Sequence, residues 1–118
     1  MSVTRTIPLP IHAGLEAFAA PAIMAAPFAL GLSALTTGIA VVVGAVLLGS
    51  ALALMGSDRP ASLSAHAGSD YALAYVAVAG AIVTGLTGDT AGTVFLAGVG
   101  AAMLLLTATT RFSYARGA

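Results

Sequence analysis

The chain of 118 residues has no cysteine, no tryptophan and no lysine, and only 7% of it is charged. Without cysteine there is no disulfide, no thiolate metal site and no Cys nucleophile. Without lysine, and with a formal net charge of zero, there is no basic patch of the kind a nucleic acid requires. Soluble domains carry roughly 25% charged residues. This chain is 59% hydrophobic, with a mean hydropathy of +1.06, and cannot cover a water-facing surface. The composition predicts a single transmembrane domain, 1–118, with the lipid bilayer as its first partner. No nucleophile elbow, phosphate loop or HExxH motif is present, so no enzyme is expected.

What the chain does have is four apolar runs, at roughly 10–32, 36–56, 64–86 and 91–110. Each is near the ~20 residues that cross a bilayer as a helix. The first run is too long for a signal peptide and carries Glu16, so it is expected to be retained. Ser33-Ala34-Leu35, the segment 56–62 and Thr87-Gly88-Asp89-Thr90 supply turn residues between the runs. Asp58-Arg59-Pro60 reads as a solvated turn. Short links make neighbouring helices antiparallel. Pro8 and Pro10 suit the first turn of helix 1. Ser62 or Ser64 is expected to cap helix 3, and Asp89 or Thr90 helix 4. Pro21 and Pro27 predict a kink in helix 1. Glycine and alanine are spaced for close helix approach.

One phrase occurs twice. His12-Ala13-Gly14-Leu15-Glu16 returns 54 residues later as His66-Ala67-Gly68-Ser69-Asp70. Aligned without a gap at that offset, 7–54 and 61–108 agree at 12 of 48 positions. The halves therefore read as repeat units, about 7–56 and 61–110, each a two-helix hairpin. An even number of spans per unit makes the repeats parallel. The expected fold is all-α: a four-helix transmembrane bundle made of two parallel-repeated hairpins. Arg5, Arg59, Arg111 and Arg116 all fall on one side and none on the other, which predicts both termini in the cytoplasm.

The pentads hold both histidines of the chain and two of its four acids. A spacing of four puts imidazole and carboxylate on one helix face. Such groups in a membrane are costly unless used or satisfied. The candidate site is His12, Glu16, His66 and Asp70, in one layer at the cytoplasmic ends of helices 1 and 3. Four uses follow from these residue types. They can form a structural polar layer, with Arg111 as ion-pair partner of Glu16 or Asp70. They can ligate a metal ion or hold a bis-histidine haem. They can also relay protons or cations in a transporter. Tyr71, Tyr75, Phe112 and Tyr114 stand at levels where aromatics anchor the interface.

Ala25-Ala26-Pro27-Phe28-Ala29-Leu30-Gly31-Leu32-Ser33 resembles the SPW-repeat family of small bacterial membrane proteins. The Ser-Pro-Trp signature of that family stands here as Ala26-Pro27-Phe28, and as Gly80-Ala81-Ile82 in the second unit. The resemblance implies two hairpins in a bacterial inner (plasma) membrane and supplies no catalytic residues. The expected function is a non-enzymatic accessory subunit that packs against other membrane subunits or a second copy. The alternative is ligand binding or transport through the His/carboxylate layer.

Overall fold

The computed structural model describes residues 5–56 and 60–112. Four helices account for nearly all of them: α1 (Leu9–Ala29), α2 (Ala34–Met55), α3 (Pro60–Leu86) and α4 (Thr90–Thr109). All four are long and apolar enough to cross a membrane. At 1.5 Å per residue, the 20–27 residues of each helix match a hydrocarbon layer of about 30 Å.

Local chemistry sets the helix ends. Pro8 and Pro10 open α1, where a missing N–H costs nothing and the fixed φ suits a helix. Ser33 caps α2 by accepting from the Thr36 N–H, and Asp89 caps α4 by accepting from the Gly92 N–H. Helix α3 starts earlier than the capping serines suggested. It begins at Pro60, whose ring presets the first turn, so Ser62 and Ser64 lie inside it. The expected turn residues Asp58 and Arg59 lie outside the described residues, as do Tyr114 and Arg116. Helix α1 continues without a break past Pro21 and Pro27. The carbonyl of Pro27 accepts from the Leu32 N–H at 2.9 Å, in the turn where the helix ends.

Helix α1 packs along α2, α3 along α4, and α2 against α3, whereas α1 and α4 scarcely meet. The N-terminal segment returns to the end of α4. There the Ile7 N–H donates to Thr109 O (3.0 Å) and the Arg111 N–H to Ile7 O (2.9 Å), placing both ends of the described chain at one end of the bundle.

Burial recurs between the hairpins at two different offsets. In the first helices, buried Leu9, His12, Glu16, Ala20 and Pro27 match Leu63, His66, Asp70, Ala74 and Ala81, each 54 residues on. In the second helices the offset is 56. Thr36, Ala40, Gly44, Leu47, Ala51 and Leu54 are matched by Gly92, Leu96, Gly100, Met103, Thr107 and Thr110. The gapless alignment paired Gly44 with Gly98; the structure puts Gly100 in that role. The cause is the longer α3, which runs three residues further than α1 relative to the 54-residue offset; the link after it is one residue shorter, which leaves a shift of two.

Packing at these glycines is close. A Cβ on Gly44 would run into the Met24 side chain and come within 2.9 Å of Ala20 O. One on Gly100 would lie 2.7 Å from Val78 Cγ2 and 3.1 Å from Ala74 O. Gly98 has nothing within 4 Å of that position. Gly98→Ala should therefore be neutral or stabilise by up to about 1 kcal/mol through helix propensity. Gly100→Ala should destabilise by roughly 1–3 kcal/mol through overpacking. Unfolding of both variants in mixed micelles checks the order, and the reverse order would reinstate the gapless register.

Candidate functional site

Helices α1 and α3 bring the four predicted site residues to one point. His12, Glu16, His66 and Asp70 are all buried, and each offers a ligand atom within 4.8 Å of the others. The histidine and carboxylate of each helix are one turn apart, so their side chains share a face. The facing helix supplies the other pair. His12 Nε2 lies 2.8 Å from Asp70 Oδ2 and 3.1 Å from Glu16 Oε2. His66 Nε2 lies 2.7 Å from Glu16 Oε1 and 3.0 Å from Asp70 Oδ2. Imidazole and carboxylate alternate around a closed ring.

The other nitrogen of each histidine fixes its tautomer. His12 Nδ1 is 2.7 Å from Thr110 Oγ1, and that hydroxyl donates its proton to Leu106 O at 2.6 Å. Thr110 therefore accepts, and His12 Nδ1 carries a hydrogen. His66 Nδ1 is 3.2 Å from Ser50 O, a carbonyl that can only accept, so it carries a hydrogen too. Ser50 Oγ is also near, at 3.3 Å. Both Nε2 atoms thus turn towards carboxylate oxygens. Lone pairs on nitrogen and oxygen cannot face each other at 2.7–3.1 Å unless positive charge lies between them. Two protons meet that need, as two imidazoliums against two carboxylates. So does one divalent cation.

Three residues complete the centre that the sequence did not mark as part of it. Thr110 and Ser50 orient the rings. Phe112, expected only as an interface anchor, sits edge-on to His12 with centroids 5.0 Å apart and lies 6.3 Å from the His66 ring. It roofs both imidazoles with hydrocarbon. Their signal in the sequence is weak, because one Ser, one Thr and one Phe near helix ends have many ordinary uses. Tyr75 is exposed but lies midway along α3, away from the helix ends where anchoring aromatics are expected.

Arg111 does not complete an ion pair here. Among the described residues the ion pairs join only the two histidines to Glu16 and Asp70. Arg111 is exposed, at the position where its backbone N–H is committed to Ile7 O. The centre has no need of it, since its own charges balance. A haem does not fit either. The two imidazole centroids are 5.5 Å apart at 78°, and the carboxylates fill the space a macrocycle would take.

A second polar knot closes the opposite end. Asp89 Oδ2 accepts from Ser33 Oγ (2.6 Å) and Thr36 Oγ1 (2.7 Å), and Oδ1 accepts from the Gly92 N–H (2.9 Å). One carboxylate thereby caps α4 and ties it to the start of α2. The Ser33 hydroxyl, then that of Thr36, then the Gly92 N–H hold its carboxyl below the usual value of 3.8.

Fold and site together define a bundle of four membrane-length helices with a buried, charge-balanced His/carboxylate centre. No family model, curated protein or solved structure matches the chain.

The ring predicts strong coupling. In a double-mutant cycle of His12→Ala and Asp70→Asn, unfolding in mixed micelles should give a coupling of about 0.5–3 kcal/mol. Additive effects would mean that the 2.8 Å contact contributes nothing. For Asp89 the sign follows from its lowered pKa. The stabilisation is complete above the unfolded value near 3.8 and is lost as pH falls through the lower folded value. The difference in Tm between the protein and Asp89→Asn should be constant from neutrality to about pH 5 and narrow below about pH 4.

Proposed function

We propose that this chain is a non-enzymatic integral membrane protein, built of two parallel hairpin repeats with both termini in the cytoplasm. Its role is that of an accessory subunit that packs laterally against another membrane protein. Arginine on one side only supports the orientation, and the resemblance to SPW-repeat proteins supports a bacterial plasma membrane.

The observation that carries this reading is an open groove of about 530 Å³ between α1 and α4. Ala19, Ala22 and Ala26 lie along one wall beside Ile23, and Gly98 and Ala102 along the other among Phe95, Val99 and Leu106. Small residues on both walls let another helix approach closely, which is how helices associate where hydrophobicity offers no drive. The proton positions in the centre support the absence of catalysis. Each histidine donates through Nδ1, so neither Ser50 nor Thr110 has a base beside its hydroxyl.

Filling the groove tests this role. The full chain, tagged and extracted from native membranes in mild detergent, should migrate as a complex larger than the monomer on a native gel. Ala22→Phe and Ala102→Phe should return it to monomer size without loss of helicity. A wild-type chain that runs as a monomer at every detergent concentration would sink the accessory reading.

A further inference from the structure

We propose that His12, Glu16, His66 and Asp70 form a binding site for one first-row divalent transition-metal ion of the zinc class. The proposal goes beyond the accessory role and shares only Glu16 with the groove lining.

The donor set comes first. Two imidazole nitrogens and two carboxylates are a sufficient shell for a four-coordinate ion. Bonds of about 2.0–2.1 Å in a tetrahedron set donors roughly 3.3 Å apart. The nitrogen–oxygen separations here are 2.7–3.1 Å. The four donors lie within 4.8 Å of one another, so widening the short contacts by a few tenths of an ångström while the longer separations close accommodates the ion. Oxygen-preferring magnesium and calcium are disfavoured by two imidazole donors, and copper(I) by the lack of thiolate.

The surroundings point to the same use, independently of the donor set. A metal-binding histidine ligates through one nitrogen and gives its other N–H to a carbonyl, hydroxyl or carboxylate, which fixes the ring. Both histidines have that arrangement. Nδ1–H of His12 goes to Thr110 Oγ1 and Nδ1–H of His66 to Ser50 O, leaving both Nε2 lone pairs turned to the common point. Asp70 adds a further sign. Its Oδ1 is buried with no hydrogen-bond partner among the described residues. A carboxylate that shares an ion through both oxygens would satisfy it.

Charge and access agree. Two neutral imidazoles, two carboxylates and one divalent ion sum to zero, as a buried layer demands. A depression of about 280 Å³ lined by Ser50, Leu54, His66 and Ser69 reaches the centre from between α2 and α3. Its serine hydroxyls give a partly hydrated cation a polar approach. Phe112 closes the side above the rings.

The test uses the full chain in detergent, stripped with a chelator, loaded with zinc and separated from free ion. Elemental analysis should return one zinc per chain, and cobalt(II) in its place should give the visible bands of a tetrahedral site. Tenfold excess magnesium or calcium should not displace the zinc. His12→Ala/His66→Ala should abolish binding. Thr110→Val keeps every ligand and should weaken binding by about 10–100-fold through loss of ring orientation. Circular dichroism and elution volume report whether each variant is folded. A folded wild-type protein that binds no zinc overturns the proposal, as does zinc held equally well by the double-histidine variant or by Thr110→Val. Those results would leave the groove and its partner untouched.

Discussion

The structure depends on one constraint: four ionisable groups buried in an apolar layer must balance their charge among themselves. An isolated carboxylate moved out of water is heavily penalised. Two carboxylates side by side would be worse. Alternation of imidazole with carboxylate removes both difficulties, but only when α1 and α3 stand at the same depth with the same face turned inward. The ring therefore specifies depth and rotation for two helices at once. Nothing in Ala/Gly/Leu packing has that specificity, since small apolar faces slide and rotate past one another at little penalty. The centre also recruits α2 through Ser50 and the end of α4 through Thr110, so all four helices contribute to it.

The far end uses the same logic with fewer groups. Asp89 is one carboxylate with three donors, drawn from α2, its cap residue and α4. It stands at a helix N-terminus, where negative charge is favoured. Between the two polar ends lies a stretch held by shape alone, where Ala20 and Ala74 are fully buried beside Gly44 and Gly100. Polar bonds set the register at both ends, and close backbone contact fills the middle.

The helices and the candidate site were legible because they rest on scarce signals. Long apolar runs have one economical reading in a chain this poor in charge. Two histidines in matching pentads cannot be mistaken for background. The second helices were harder. Their match at 54 was supported by residues such as Gly44 and Gly98, and glycine is too common here to fix a register. The caps Ser33 and Asp89 are 56 apart, and they differ in residue type, so no identity marks the pairing. Thr110, Ser50 and Phe112 escaped for a related reason: they have no counterparts of the same type in the other half. The sequence points to Arg111 because it ends helix 4 on the same side as the pentads, but a centre that neutralises itself gives an arginine nothing to neutralise.

The departure from twofold likeness carries the most functional meaning. Gly80 of α3 lies against Ile39 of α2, where an added Cβ would meet the Ile39 side chain at 3.1 Å. The corresponding positions are Ala26 of α1, 54 residues earlier, and Phe95 of α4, 56 residues later. Those two residues both line the open groove. Along the same face buried Leu73 corresponds to Ala19, another groove residue. Leucine is replaced by alanine at this position, so the wall is lower there, whereas Ala26 and Phe95 are each bulkier than their counterparts Gly80 and Ile39. The low stretch at Ala19 suits an occupant that brings its own side chains, as a helix does. The same groove has Glu16 in its lining, so an occupant of the kind proposed would lie against the polar centre.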